Sequence, residues 1–132
     1  MMPSTADIFC CPFSDDTLWR EQRDKATFWN AESFYGIDLR PLAGKAEKEY
    51  MSQAVVGYFG PEVLLSCDRA AHKIDFKTVT VPELQTFTVP LHFRITKTAV
   101  CHGLGCWFDA HFLGSDAHVT LSTAPDQPGT HW

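Results

Sequence analysis

The chain has 132 residues, of which 45% are hydrophobic and 20% charged, and its formal net charge is −5. This length and balance are typical of one globular domain and argue against a disordered segment. The acidic charge argues against a nucleic-acid-binding surface. No apolar run approaches the roughly 20 residues that a membrane span needs, and the N-terminus lacks the basic and apolar regions of a signal peptide.

Cysteines and histidines are the residues that most invite a disulfide or metal interpretation. The five cysteines are an odd number and two of them are adjacent, which is a poor disulfide framework, so we expect reduced thiols. Residue types that bind zinc occur close together as Cys101, His102, Cys106 and His111. On a strand the first and last of these would point to one face and the middle two to the other. We therefore predict no metal site.

Two helices are predicted in the first half of the chain. Ser14-Asp15-Asp16 offers an N-cap and early acids, which predicts a helix from about Ser14 to Trp29. A second helix is predicted from near Lys45 until Gly57 and Gly60-Pro61 end it. Its apolar stripe predicts either core packing or a surface for a partner. The stripe consists of Ala46, Tyr50, Met51, Ala54, Val55, Tyr58 and Phe59.

After Pro61 the apolar residues recur at every second position, which predicts antiparallel strands. The candidate strands are residues 63–65, 74–76, 85–95, 100–113 and 119–123. The third alternates most regularly, and Pro90 within it indicates an edge or a bulge. A turn is predicted at 114–116 and a loop from Pro125 onward. Helices followed by half-buried strands predict a mainly β domain with a helical attachment.

Four groups of residues resemble, in order and spacing, the C-terminal half of the protein arginine methyltransferases. The coactivator-associated members, which are asymmetric-dimethylating (type I) enzymes, are the most similar. The matching segments are Phe28-Trp29 with Phe34-Tyr35-Gly36-Ile37-Asp38-Leu39, Glu49-Tyr50 through Gln53 with Val55-Val56, His102-Gly103 with Trp107-Phe108-Asp109 and Phe112, and Leu121-Ser122-Thr123-Ala124-Pro125 with Pro128 and Thr130-His131-Trp132. They span nearly the whole chain.

The resemblance implies an incomplete antiparallel β-barrel over residues 1–132, with a helical dimerisation arm at about residues 30–60. The domain that binds S-adenosylmethionine is expected to be absent, because the chain has neither its glycine-rich loop nor its pair of glutamates. Two residues depart from the family pattern. Ala54 stands where proline is common, so helix propensity would let the second helix continue. Gly57 stands where an acid is frequent, which leaves the geometry of the end of the arm open.

The resemblance also implies roles for individual residues. His131 is expected to be catalytic through pairing with an acidic residue of the absent domain. Thr130, His131 and Trp132 are expected to form a wall of the arginine-binding pocket. The dimerisation residues are expected to be Phe34, Tyr35, Gly36, Asp38, Leu39, Tyr50 and Met51.

The function implied is the substrate-binding and dimerisation part of an enzyme that methylates arginine in proteins such as histones, in the nucleus and cytoplasm. The expected partners are protein arginine substrates and, in the full-length enzyme, a second copy. No membrane and no direct nucleic-acid binding is expected. S-adenosylmethionine serves the full-length enzyme and is not bound by this chain, which alone should be inactive. The alternative is a non-enzymatic β-sandwich interaction module. A glycine-rich motif and two glutamates encoded upstream of Met1 would show that the chain is part of the enzyme and not an interaction module.

Overall fold

A computed structural model describes residues 1–130 and contains one open antiparallel sheet in the strand order β2-β1-β3-β4. The strands are β1, Thr5–Phe13; β2, Ala70–Asp75; β3, Gly103–Leu113; and β4, His118–Ser122. β1 pairs with β3 along its whole length, so that Thr5 lies opposite His111 and Phe13 opposite Gly103. β2 and β4 are the two edges, and the sheet does not close into a barrel.

Residues 15–57 form a compact helical unit, which we call the arm. It contains α1, Asp16–Asp24; a 3-10 turn, Thr27–Asn30; and α2, Arg40–Ser52. The predicted start of α1 is confirmed, because the carboxylate of Asp15 accepts a hydrogen bond of 2.9 Å from the backbone N–H of Leu18. The predicted continuous helix to Trp29 is wrong. The Thr27 hydroxyl donates to the carbonyl of Asp24 at 2.6 Å and so competes with the helical pattern.

The second helix is displaced towards the N-terminus relative to the prediction. α2 begins at Arg40 because Pro41 suits a first helical turn, where a missing N–H is no loss. It ends at Ser52, whose hydroxyl donates to the carbonyl of Glu49 at 2.8 Å, and Gln53 is already extended. Ala54 therefore lies outside the helix, and the prediction that the helix continues through it is wrong.

The second compact unit comprises residues 1–14 together with the chain from Tyr58 onward. Besides the sheet it contains a 3-10 turn, Pro61–Val63, and α3, Val81–Gln85. The predicted strand at 63–65 is wrong, since only Leu64 makes a single bridge, to Phe13. The strands predicted around 74–76, 100–113 and 119–123 are confirmed as parts of β2, β3 and β4. The turn between β3 and β4 is also confirmed, with Gly114 donating to the carbonyl of Ala117 at 3.0 Å.

The predicted strand at 85–95 is wrong despite its regular alternation. A capping box between Thr80 and Glu83 starts α3, and Gln85 is the last residue of this helix rather than the first of a strand. Of the remainder only Ile95 makes a bridge, to Ser66. An alternating pattern gives a strand only where its backbone pairs with a neighbouring strand, and residues 86–94 make no such pairing in the described part of the chain, although the Phe87 ring stacks on His72 of β2 at 4.4 Å.

The sheet carries its main core on one face. Cys11, Trp107 and Ala124 are the centre of this cluster and are 0%, 4% and 8% exposed. The ring of Trp107 stacks on Phe9 at 6.0 Å and meets Phe59 edge-on at 6.3 Å. The opposite face of β3 carries the even-numbered residues of the strand, which are Leu104, Cys106, Phe108, Ala110 and Phe112. None of the described helices is long and apolar enough to cross a membrane.

Candidate substrate loop and oligomerisation arm

The chain leaves β4 as a loop, residues 123–130, whose first residues are fixed on the sheet. The backbone N–H of Thr123 donates to the carbonyl of Phe108 at 3.0 Å, and its hydroxyl oxygen accepts from the N–H of Phe108 at 3.0 Å. Ala124, the next residue, is buried in the core beside Trp107. Hydrogen bonds to β3 therefore fix the position at which the loop starts.

The middle of the loop is held by an ion pair. Arg69 donates to the carboxylate of Asp126 at 3.0 Å, and its guanidinium lies 5.2 Å from the ring centroid of Trp107. The hydrogen bond from Arg69 holds the pKa of Asp126 below its usual value. A carboxyl group whose pKa is lower in the folded protein than in the unfolded chain stabilises the fold at pH values above its unfolded-state pKa. This contribution is lost as the pH falls through the folded-state value.

The end of the loop contacts Tyr58, whose hydroxyl donates to the carbonyl of Thr130. Gly129 lies against the same ring, and a Cβ there would come within 3.3 Å of it. Thr130 is half-buried. His131 and Trp132 lie outside the described residues, so their predicted roles in catalysis and substrate binding stay predictions. The contacts between Arg69 and Asp126 and between Tyr58 and Thr130 were not predicted from the sequence, because the two residues of each pair lie far apart in the chain.

A polar network occupies the same face of the sheet as the main core. The His111 ring bridges β1 and β4, with Nε2 2.8 Å from a carboxylate oxygen of Asp7 and Nδ1 3.0 Å from the hydroxyl of Thr120. Asp109 lies on the same face of β3 as His111, but its carboxylate accepts a hydrogen bond from the hydroxyl of Ser122. The network ties three strands together, which is a structural role.

The four residues with zinc-ligand chemistry do not form a cluster. Cys101 and His102 precede β3, whereas Cys106 and His111 lie on its two opposite faces. Among residues 1–130 no three His, Cys, Asp or Glu side chains come together in a way that would hold a metal ion.

The arm contains a tight hairpin turn at Phe34–Ile37. The N–H of Phe34 donates to the carbonyl of Ile37 at 2.8 Å, and the N–H of Ile37 donates to the carbonyl of Phe34 at 3.0 Å. Tyr35 and Gly36 at its tip have φ values of 50° and 82°. Two successive positive φ values define the type I′ turn, in which glycine carries no steric penalty.

The hairpin presents a cluster of aromatic side chains. Phe34 contacts Phe28 at 5.1 Å and Tyr35 at 4.8 Å, both edge-on, and Tyr35 is 92% exposed. Asp38 follows the hairpin and accepts from the backbone and guanidinium of Arg40 at 2.9–3.0 Å. These hydrogen bonds, first from the guanidinium and then from the backbone, lower the pKa of Asp38.

The predicted dimerisation residues fall into two groups. Phe34, Tyr35, Gly36, Asp38 and Leu39 lie at the hairpin and at the start of α2, whereas Tyr50 and Met51 lie in its last turn. The two groups are about 15 Å apart along the helix axis, given a rise of roughly 1.5 Å per residue. The structure thus brings the residues of the first group together, but Tyr50 and Met51 lie apart from them.

Replacing Gly36 by alanine should destabilise the arm by about 1–2 kcal/mol, because a side chain at a positive φ is strained. Gly44 is a matched control, since it lies inside α2 and a Cβ there meets nothing within 4 Å. Gly44→Ala should stabilise the helix by about 0.5–1 kcal/mol. Thermal unfolding followed by circular dichroism measures both. Equal effects of the two substitutions would contradict the turn assignment.

The open antiparallel sheet with a helical arm is the fold of arginine methyltransferase C-terminal domains. A Trypanosoma brucei PRMT1 enzyme–prozyme heterotetrameric complex with AdoHcy matches with a TM-score of 0.77 and 23% identity, over 100% of this chain and 39% of that one. Arabidopsis thaliana protein arginine methyltransferase 10 matches with a TM-score of 0.67 and 26% identity, over 100% of this chain and 43% of that one. The predicted fold class is confirmed.

Residues 4–132 match the family model described as the arginine methyltransferase oligomerization subdomain, and the chain belongs to this family. A probable histone-arginine methyltransferase CARM1 of Oryza sativa subsp. indica is 44% identical over 132 residues, and the histone-arginine methyltransferase CARMER of Drosophila yakuba is 40% identical over the same length. In each case all of this chain and 25% of the relative are covered. The chain thus spans about a quarter of the length of these relatives, and the predicted family membership is confirmed.

Proposed function

We propose that the chain is the substrate-binding and oligomerisation part of a type I protein arginine methyltransferase, which transfers a methyl group from S-adenosylmethionine to arginine in proteins, histones among them. Two relatives named as histone-arginine methyltransferases support this substrate class. A structural relative in complex with AdoHcy, the form of the donor without its methyl group, supports the chemistry. We propose that the full-length enzyme acts in the nucleus, where histones are found, and that it is also present in the cytoplasm.

The observation that carries the proposal is the attachment of residues 123–130 to the sheet. Core packing of Ala124, the ion pair of Asp126 and the contact of Thr130 with Tyr58 fix this loop just before His131. In our proposal Thr130, His131 and Trp132 form a wall of the pocket for the substrate guanidinium. A rigid loop suits this task, because the rate of a transfer reaction depends steeply on the placement of the reacting groups.

The methyl donor does not fit the described residues. All pairings in the sheet of residues 1–130 are antiparallel, and none of its strands leads through a glycine-rich turn into a helix. Donors of this kind bind where backbone N–H groups at such a turn face the ligand. We therefore propose that the methyl donor binds to another part of the full-length enzyme and that this chain alone does not methylate arginine.

We propose that the dimerisation arm predicted at about residues 30–60, most of which lies in the helical unit of residues 15–57, holds two copies of the full-length enzyme together. The exposed hairpin of Phe34 and Tyr35, with Met51 at the end of α2, offers apolar surface for this contact. The alternative, a non-enzymatic β-sandwich module, requires two packed sheets, whereas residues 1–130 form a single sheet.

Tyr58→Phe in the full-length enzyme tests the role of the loop. Loss of one hydrogen bond, worth about 0.5–1.5 kcal/mol net, should lower kcat/KM for a peptide substrate by about two- to tenfold. Asp126→Asn should act in the same direction. The matched control is Asp116→Asn, in the turn between β3 and β4, which should leave kcat/KM unchanged. Wild-type kinetics for both Tyr58→Phe and Asp126→Asn would contradict the proposal.

A further inference from the structure

Two cysteines face each other across the centre of the sheet. Cys10 on β1 lies opposite Cys106 on β3 in the strand register, and their sulfur atoms are 3.1 Å apart. Directly opposed residues of antiparallel strands have Cβ atoms about 4.5–5.5 Å apart, while a disulfide needs about 3.5–4.5 Å and an S–S bond near 2.05 Å. A small approach of the two strands therefore suffices to form the bond.

The other cysteines are not placed for this reaction. Cys11 is fully buried on the opposite face of β1, and burial raises the pKa of its thiol. Cys67 and Cys101 are exposed free thiols, and neither lies on a strand. Cys106 is exposed and Cys10 half-buried, so a small oxidant reaches both sulfur atoms.

We propose that Cys10 and Cys106 form a site of reversible oxidation, at which a hydroperoxide converts the two thiols into a disulfide between β1 and β3. This inference is independent of the proposed methyltransferase function. One thiolate attacks the peroxide, the O–O bond breaks, and a sulfenic acid and an alcohol or water result. The second thiolate attacks the sulfenic sulfur and expels hydroxide. In sum, two thiols and one hydroperoxide give a disulfide, an alcohol or water, and one further water. A dithiol reductant reverses the reaction by exchange.

The surroundings of the pair set its response to pH. Desolvation of the sulfur, followed by the contact with Cys10, raises the pKa of Cys106 to about 11. Because the thiolate is the reacting form, oxidation should be slow at neutral pH and should accelerate as the pH rises. The pair would thus stay reduced under ordinary conditions and respond to sustained oxidant.

The test uses the longest natural gene product that contains these residues, purified in reductant and then exposed to hydrogen peroxide. We expect its mass to fall by about 2 Da as two hydrogens are lost. Trypsin should release the peptide that contains Cys10 and ends at Arg20, linked to the peptide that begins at residue 98. Fragment ions that separate Cys10 from Cys11, and Cys101 from Cys106, should place the link at Cys10 and Cys106. Dithiothreitol should restore the original mass.

Two variants complete the test. Cys106→Ser should abolish the link, whereas the matched control Cys67→Ser should form it to the wild-type extent. The oxidised wild-type protein should also melt several degrees higher than the reduced protein, because the bond closes a loop of nearly 100 residues. Since mapping on the wild type does not depend on any variant, a link through Cys11 or Cys101, or no link after prolonged oxidation, overturns the proposal.

Discussion

Replacing His131 by alanine in the full-length enzyme is expected to lower kcat by roughly a hundredfold, the cost of misplacing a reacting group by about an ångström. In our proposal this loss arises because His131 pairs with an acidic residue of the donor-binding domain, a contact that would fix the pocket wall and the angle between the domains. A role as general base is not required. The guanidinium, whose pKa lies far above neutral pH, can lose its proton once methylation is under way.

A double-mutant cycle on turnover distinguishes pairing from simple packing of His131 beneath Trp132. The pairing account predicts that loss of His131 and loss of the acidic partner are largely non-additive, while the affinity for the methyl donor changes little. If the two losses simply add, or if His131→Ala retains near wild-type turnover, the pairing role is wrong.

The second large effect is expected from Trp107→Ala, which should destabilise the sheet by about 3–5 kcal/mol, the usual cost of truncating a buried tryptophan. Trp107 is 4% exposed and contacts Phe9 and Phe59, while the guanidinium of Arg69 lies over its ring. Its removal would leave a cavity beside Ala124, at the start of the loop of residues 123–130. Urea unfolding of the full-length enzyme followed by circular dichroism measures the loss.

Two further variants control this prediction. Phe28→Ala removes an aromatic ring that is half exposed and should cost less than Trp107→Ala. Trp107→Phe keeps most of the apolar volume. It also removes an indole N–H that is buried and, among the described residues, has no hydrogen-bond partner. This substitution should therefore be tolerated much better than alanine. Similar stabilities for Trp107→Ala and the wild-type protein would show that the cluster is not the core.

Local signals in the sequence were sufficient for several elements. The run Ser14-Asp15-Asp16 predicted the start of α1, because an N-cap and early acids involve only the residues within one turn, and the structure places the cap at Asp15. The alternation of residues 100–113 and 119–123, with glycine between them, predicted β3, β4 and their turn. The motifs that resemble the family placed these elements in the right fold, since their order and spacing span the chain.

Features that depend on distant residues were not predictable in this way. Residues 85–95 alternate like a strand, but strand formation requires a neighbour that the pattern does not reveal. The ion pair of Arg69 and Asp126 joins residues 57 positions apart, and the contact between His111 and Asp7 joins residues 104 positions apart. Neither leaves a periodic signal. The end of α2 was not predicted because no glycine or proline marks it. The helix ends instead at Ser52, whose hydroxyl donates to a backbone carbonyl of the last turn.

Methyl transfer from labelled S-adenosylmethionine to an arginine-containing histone peptide tests the central claim most directly. The assay compares the purified 132-residue chain with the full-length gene product at equal concentration. We predict no transfer above background for the chain alone and clear transfer for the full-length protein, which His131→Ala should strongly reduce. Transfer by the chain alone that His131→Ala abolishes, or no transfer by the full-length protein, would contradict this account.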